Sequence, residues 1–368
     1  MRHAATTAAL LAAVTAAACG SNTIDYGPRR AALAAIGDQV IVPGYVELAR
    51  VTGELAVAAR ADLPALDAAR LAALQDRWRA VRAAWLRTQA HRIGPVRDDL
   101  FESRIAQWPV DQLDVEALVA GTATVDRALI DTQGANRKGL AVAEYLLFSA
   151  GTGTGAADPL AALADPRRRA YLQAVLDAIA DETTALAAAW TGGYAARFAN
   201  PGEPDAAFAT VKEGIDAVVN ANVFLAENVA DTKLGAPLGA MTGGIPQIEL
   251  VESPWSDHGA DDVAAAYDGL RAILDGPDGA PGPEGGDPFL AALLEVSHPE
   301  IADQLRADLT GARDAVVAVS HPLIDAVAAK TAAVDAAWTT ARTVKATYKT
   351  EVVAALGVTL SFNDNDGD

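Results

Sequence analysis

The sequence contains a single cysteine, Cys19, so an intrachain disulfide is excluded. Aromatic residues are scarce, at 5% of the 368 residues, and alanine is abundant. Alanine has the highest helix propensity, and its small side chain allows helices to pack closely. Period-two alternation of apolar and polar residues is almost absent, and only residues 358–362 have the pattern of a strand. These absences predict an all-α protein.

Positive charge is also in short supply. The chain has 29 Lys and Arg against 48 Asp and Glu, a formal net charge of -19. Such an excess of negative charge disfavours unspecific binding to nucleic acid or to an anionic membrane surface, so we expect no nucleic-acid partner. Cations, basic peptides or a metal complex would be attracted, although acidity alone also keeps a secreted protein in solution.

After the N-terminus there is no apolar run long enough to span a bilayer. Arg2 and His3 precede a short apolar run at 8–14, and small residues then lead to Cys19. This order is typical of a secretory signal, and the cysteine resembles that of a bacterial lipoprotein signal. We therefore predict a signal peptide at 1–18, a tether at 19–30 lipidated on Cys19, and an anchor in the outer membrane, facing the periplasm or the surface. Plain secretion is the alternative.

Helical periodicity organises the rest of the chain. The clearest stripe is formed by Leu71, Leu74, Trp78, Val81, Trp85 and Thr88, spaced by alternating steps of three and four. Further helices are predicted at about 30–61, 115–132, 166–190, 206–231, 261–274, 288–311 and 322–357. The Pro/Gly-rich segment 201–204 is the best domain boundary. We predict two helical bundles of about four helices each, at 31–200 and 201–368, which a distant duplication would explain.

Histidine, the usual zinc ligand and general base, is rare. Apart from His3 in the signal, the chain has His91, His258, His298 and His321, none at helical ligand spacing with another. There is no His-Glu-x-x-His motif and no Gly-x-Ser-x-Gly elbow. These residues do not predict a hydrolase. His91 is interpreted as a helix-end histidine, and Ser256 or Asp257 as the cap of the helix after His258.

One glutamate stands out. Glu144 is the only charged residue in the apolar helix predicted at 139–148. A lone buried carboxylate is costly unless a cation, a metal or several donors satisfy it. One hypothesis is an ion pair with Arg104. The other is a metal site in which Glu144 is joined by residues such as Glu102, Asp111, Asp257 or His258; such ligands would suit calcium or ferric iron.

The segment 139–148 resembles the Gly-x-His-x-x-Glu segment of the imelysin family, the peptidase M75-like proteins, with Ala141 at the position of the histidine. Segments 85–95, 103–111, 252–258 and 356–368 are similar to other family segments, in the family's order. The resemblance implies a periplasmic or surface protein of two helical bundles, with its site between the lobes near the His-x-x-Glu segment. Some relatives were described as peptidases and others as iron-regulated or iron-uptake proteins.

Together these observations predict an imelysin-like lipoprotein that serves as a binding component for uptake of iron or another cation, with a degenerate site. Its expected partners are the membrane, a metal or small molecule, and an envelope protein. A non-catalytic scaffold is the alternative, and an M75-type peptidase is a weaker one. The predicted cleft is lined by Glu144, Arg104, Trp108, Asp111, Ser253, Ser256, Asp257 and His258.

Overall fold

The computed structural model of the chain describes residues 26–152, 158–279 and 287–361. All regular secondary structure within these ranges is helical, which confirms the all-α prediction. The strand expected at 358–362 is not formed over 358–361, because the Asn220 amide donates to the Thr359 carbonyl and accepts from the Ser361 N–H. Cys19, the signal peptide and the acidic tail 363–368 lie outside the described residues. The predicted tether is too long, since residues 27–30 already belong to the first helix.

Eleven α-helices precede the Pro/Gly-rich segment within the described part of the chain. They are α1 Gly27–Ile36, α2 Val42–Asp62, α3 Ala68–Thr88, α4 Pro95–Asp98, α5 Phe101–Ile105, α6 Gln112–Ala120, α7 Arg127–Asp131, α8 Leu140–Phe148, α9 Pro159–Ala162, α10 Pro166–Ala189 and α11 Ala195–Ala199.

Seven more follow it in the same part of the structure. They are α12 Val211–Glu227, α13 Gly259–Asp275, α14 Leu290–Glu295, α15 Pro299–Val317, α16 Leu323–Ala328, α17 Ala332–Ala346 and α18 Val353–Leu356. Wider π-helical turns continue several of these helices at Gly37–Ile41, Trp190–Tyr194, Asn228–Gly235 and Thr347–Val352.

Helix α3 is the central element, as its stripe predicts. Leu74, Trp78, Val81 and Trp85 are all buried, each stabilising the fold by roughly 1.5–3 kcal/mol relative to an exposed side chain. The helix packs against α2 and α8, which precede the segment 201–204 in the sequence, and against α13, which follows it. It is therefore the element that brings residues from both halves of the sequence together.

The first predicted helix continues through its proline. The π-helical turn Gly37–Ile41 joins α1 to α2, and Pro43 sits in the first turn of α2, where its missing N–H is tolerated. The helical run Gly27–Ala65 is the one in the described part that is long and apolar enough to cross a membrane, but half of its most apolar window is buried inside the protein. Because α2 packs on α3 and α10, we assign this run to the core.

Two predicted helices are interrupted. The one at 115–132 is wrong as a single element: α6 ends at Ala120, and Asp126 caps the start of α7 by accepting from the Leu129 N–H. The one at 322–357 breaks at Lys330, which has a left-handed φ of 48°, and Thr331 then caps α17. In each case a local side-chain cap competes with continuation of the helix.

The two halves of the chain share one connected apolar core that runs from Ala32 to Val358. A Cβ at Gly269 on α13 would lie 2.3 Å from the Arg87 carbonyl oxygen, so glycine permits the close approach of α13 to α3. The predicted domain boundary, between residues 200 and 201, lies in a turn. The division into two bundles there stays a prediction.

Candidate functional site

Helix α8 is held in place at a glycine. Gly139 has a φ of +83°, and a Cβ there would lie 2.7 Å from the Ile105 carbonyl oxygen. Both facts require glycine at this position. The helix that follows is buried from Leu140 to Leu147, and the Trp78 indole donates to its first carbonyl at 3.0 Å. Glu144 is therefore fixed in the core with only 1% of its surface exposed.

Three donors converge on one oxygen of Glu144. The N–H groups of Trp255 and Ser256 donate to Oε1 at 3.0 and 2.8 Å, and the Ser256 hydroxyl donates at 2.8 Å. The predicted ion pair between Glu144 and Arg104 is wrong. Arg104 is half-buried elsewhere and donates to Glu182 at 2.9 Å and to the Asp99 carbonyl. Backbone and hydroxyl donors thus replace the cation that the sequence suggested.

A buried ion network lies beside Glu144. Arg82 on α3 donates to Asp262 on α13 at 2.8 Å and to Glu252 at 2.7 Å. Lys233 donates to the same oxygen of Glu252 at 2.7 Å, and the Ser253 hydroxyl donates to Asp262 at 2.6 Å. The network ties α3 and α13 to the segment that carries the donors of Glu144.

Charge balance in this network leaves Glu144 as the odd carboxylate. Arg82 and Lys233 match Asp262 and Glu252 in number. Burial would raise the pKa of Glu252, but Lys233 and Arg82 outweigh it and hold that pKa at about 2. For Glu144 burial dominates and raises the pKa to about 7, although the Ser256 hydrogen bonds and Arg82 oppose the shift. Glu144 therefore changes protonation near neutral pH while Glu252 stays charged.

A cavity of about 290 Å³ opens directly on Glu144 and Ala141. These two residues are three apart on α8 and share a face. Its walls come from α3, α8, α12, the π-helical turn Asn228–Gly235 and the segment before α13. Polar and aromatic side chains dominate the lining, which includes Arg82, Trp85, Arg92, Trp108, Lys233 and Glu252. The cavity is thus a small polar chamber built from both halves of the chain.

Among the residues predicted for the cleft, the structure brings Glu144, Trp108 and Ser253 to this cavity. Ser256 binds Glu144 but lines a second, more open cavity of about 530 Å³, together with Asp257 and His258. Asp111 lines neither cavity and instead caps α6 by accepting from the Asp114 N–H.

The histidines and the predicted cap of α13 also differ from expectation. His258 itself begins α13, without a side-chain cap from Ser256 or Asp257. Asp257 instead contacts His321 at 3.2 Å. His258 contacts Asp261 at 3.1 Å, and burial lowers its pKa. His91 ends the 3-10 turn Gln89–His91, as predicted, but its side chain is buried, and burial lowers its pKa to about 3, so it stays neutral.

The residues around Glu144 do not fit a bare metal ion. Ala141 offers no ligand, the Oε1 atom of Glu144 already accepts three hydrogen bonds, and Glu252 is bound to two cations. Across residues 26–152, 158–279 and 287–361 no group of three or more His, Cys, Asp or Glu side chains could hold a metal ion. The predicted iron or calcium site at Glu144 is not supported by this geometry.

Sequence reasoning missed the charged residues that matter most, Arg82, Arg92, Lys233 and Asp262. Arg82 lies outside the predicted apolar stripe of α3, yet only 7% of its surface is exposed. Its spacing of four from Trp78 and three from Trp85 was the available signal, since those positions flank the buried stripe. Lys233 and Asp262 had no comparable local signal.

Comparisons with known proteins agree with the fold. The Imelysin (peptidase M75) family model matches residues 41–349. The chain is 26% identical over 291 residues to iron-regulated protein A of Synechococcus elongatus, covering 78% of this chain and 74% of that protein.

Two solved structures are similar. A proposed iron-regulated protein A precursor from Parabacteroides distasonis has a TM-score of 0.78 at 20% identity, covering 89% of this chain and 95% of that one. An imelysin-like protein from Psychrobacter arcticum has a TM-score of 0.73 at 16% identity, covering 92% and 98%. At these identities the likeness concerns the fold alone.

Proposed function

The chain belongs to the imelysin family, and from that premise we propose that it is a non-catalytic, lipid-anchored binding protein of the cell envelope that serves iron uptake. Its relative from Synechococcus elongatus carries the name iron-regulated protein A, which supports an iron-related role. The binding site is the cavity on Glu144 and Ala141, which we call the Glu144 cavity. Ala141 makes it a degenerate form of the family's His-x-x-Glu site.

The observation that carries this proposal is the position and chemistry of the Glu144 cavity. It lies where residues from both halves of the chain meet, and its lining combines charged groups with indole rings. Small-molecule sites in proteins are concave, and a few polar groups that point toward the ligand fix its orientation. The buried ion network of Arg82, Glu252 and Asp262 holds the walls in place.

Hydrolysis is the less favoured function because the Glu144 cavity lacks the necessary groups. Within the described part of the chain, no histidine or cysteine lines it. Its serine, Ser253, donates to Asp262 at 2.6 Å rather than to a base that could activate it. Among the described residues of the lining, Glu144 is the one carboxylate without a cation bound to it, and its Oε1 atom is occupied by three donors. The lining therefore suits binding better than nucleophilic or metal-assisted chemistry.

The function is tested in the source organism with the chain deleted and then restored. Ala141→Leu fills the Glu144 cavity, whereas Ala336→Leu adds the same bulk on an exposed face of α17 as a control. We expect wild type and Ala336→Leu to restore growth under iron limitation and accumulation of radioactive iron, and Ala141→Leu to fail. Full restoration by an equally abundant Ala141→Leu protein would favour a scaffold role over a binding role.

The anchor is tested separately. Wild type should fractionate with membranes and incorporate labelled palmitate, while Cys19→Ala should appear in the soluble fraction without label. A membrane-bound Cys19→Ala protein would overturn the lipoprotein assignment without affecting the assignment of the Glu144 cavity.

A further inference from the structure

Buried donors without acceptors surround the Glu144 cavity. Three lining residues carry a buried side-chain polar atom with no hydrogen-bond partner: Trp85 Nε1, Trp108 Nε1 and Arg92 Nε. All three atoms are N–H donors, and among the described lining residues no carboxylate or carbonyl oxygen is orphaned in the same way. A buried donor without a partner costs roughly 1–3 kcal/mol, so such a group calls for an acceptor from elsewhere.

Each carboxylate in the described lining already has one oxygen that accepts a hydrogen bond. Glu102 accepts from Arg92, Glu252 accepts from Arg82 and Lys233, and Glu144 Oε1 accepts from three donors. Rotating one of these carboxylates toward an indole would break an ion pair in a buried setting. The missing acceptors are therefore best supplied by a ligand.

We propose that the Glu144 cavity binds a small carboxylate-bearing anion, whose oxygens accept from the Arg92 guanidinium and from the indole N–H groups of Trp85 and Trp108. This inference rests on the proposed function and names its ligand class. Arginine presents a planar fork of donors that matches a carboxylate. Arg92, Arg82 and Lys233 place three cations around the same chamber.

Arg92 is also placed to admit such a ligand. Its guanidinium lies 4.1 Å from the centroid of the Phe224 ring. Arg92 and Phe224 both line the Glu144 cavity and the neighbouring cavity of about 870 Å³. The pair forms the partition between the two spaces. The inner chamber, at about 290 Å³, has the size for a small organic acid, whereas the outer cavity offers room for an approaching chelate.

The lining offers a bare cation no open set of ligands. Arg82, Arg92 and Lys233 match the lining carboxylates Glu102, Glu144 and Glu252 in number, and Ala141 supplies no ligand. Iron would therefore reach the Glu144 cavity bound to its carboxylate carrier. Two ligands carry the required carboxylate groups: the free acid and its ferric chelate.

The test is calorimetric titration of the purified protein with citrate, ferric citrate, calcium chloride and ferrous chloride. Trp85→Phe keeps an aromatic side chain and removes the indole N–H, and Arg92→Lys keeps the charge and removes the planar fork of donors. Trp190→Phe is the matched control, because its Nε1 is also buried and unpartnered but does not line the Glu144 cavity. We expect citrate or its ferric complex to bind, about tenfold or more weakly in Trp85→Phe and Arg92→Lys, and unchanged in Trp190→Phe.

Stability supplies a second readout. Trp85→Phe and Trp190→Phe remove the same ring volume and the same kind of unpartnered buried donor, so the two ligand-free variants should lose similar resistance to urea, although only Trp85→Phe binds more weakly. Loss of affinity that merely tracked loss of stability would overturn the placement of the carboxylate. A preference for ferric citrate over citrate would identify the chelate as the source, and equal affinity would identify the free acid.

Other outcomes overturn the ligand class. One is that neither citrate nor ferric citrate binds at millimolar concentration. The other is that one calcium or ferrous ion binds per chain and that this binding is lost in Glu144→Gln. Such a result would leave the proposed function standing if Ala141→Leu still abolishes iron accumulation. Conversely, if citrate binds but Ala141→Leu fully restores iron accumulation, the proposed role in iron uptake would be overturned and the carboxylate site would stand.

Discussion

The backbone N–H and the hydroxyl of Ser256 both donate to the same oxygen of Glu144, each at 2.8 Å. Ser256 belongs to the segment before α13, so this pair fastens the buried face of α8 to the other half of the chain. The neighbouring residues Ser253 and Asp257 have left-handed φ angles of 52° and 55°, which are unfavourable for residues other than glycine. Glu144 thus holds a strained segment in the position that closes the Glu144 cavity.

Ser256→Ala should destabilise the protein by about 1–2 kcal/mol, because a buried carboxylate loses one of three donors. The effect should appear as a lower urea midpoint with an unchanged dependence on denaturant. Ser103→Ala is the control, since the Ser103 hydroxyl donates to a backbone carbonyl at an exposed position. Equal midpoints for the two variants would show that the Ser256 hydroxyl contributes nothing to Glu144.

The pKa of Glu144, raised to about 7, makes stability depend on pH. Folded Glu144 holds a proton that the unfolded chain releases at the ordinary pKa near 4.5. The contribution of this proton to the free energy of unfolding is therefore fully present below pH 4.5. It is lost as pH rises to about 7, by roughly 3 kcal/mol in all. Glu144→Gln should lack this loss.

The check is urea unfolding of wild type and Glu144→Gln at pH 5 and pH 8. His91 acts in the opposite sense, because its folded pKa of about 3 makes its contribution present above 6.5 and lost as pH falls. Both proteins keep His91, so its effect cancels in the difference between them. A wild-type minus variant difference that stayed constant over this range would contradict the shifted pKa.

Arg82→Met should be strongly destabilising, by about 3–5 kcal/mol, because it leaves Asp262 and Glu252 buried with Lys233 as the remaining cation of the network. Arg79→Met, three residues earlier on the same helix, should cost under about 1 kcal/mol, since its ion pair with Asp76 is largely exposed. Thermal unfolding by circular dichroism compares the two. Similar losses would mean that the buried network does not stabilise the fold.

Gly139→Ala should destabilise by at least 2 kcal/mol, because it combines a left-handed φ with a Cβ at 2.7 Å from the Ile105 carbonyl. Gly311→Ala should instead stabilise by up to about 1 kcal/mol, since Gly311 lies inside α15 with open space around it. Urea unfolding of the two variants measures the expected loss of stability in the first and the expected gain in the second. A neutral Gly139→Ala would show that α8 can shift away from Ile105.

Much of the fold was predictable because its signals are local. The apolar stripe of α3 and the near absence of strand patterns predicted the helices from neighbouring residues alone. The boundaries failed where local caps such as Asp126 and Thr331 interrupted a continuous pattern. For the site, the sequence identified Glu144, Trp108 and Ser253, but one of its two hypotheses for Glu144 named the wrong partner, Arg104.

The sequence by itself determined that Glu144 is buried, because a single charge in an all-apolar helix has no solvated face to occupy. Its resemblance to the Gly-x-His-x-x-Glu segment also predicted that Ala141 stands at the position of the family's histidine. Only the tertiary structure decided how the charge is satisfied, since Ser256 is 112 residues away along the chain. Hydrogen bonds over such separations depend on how α3, α8 and α13 pack together, and packing, unlike helical periodicity, leaves no regular spacing in the sequence.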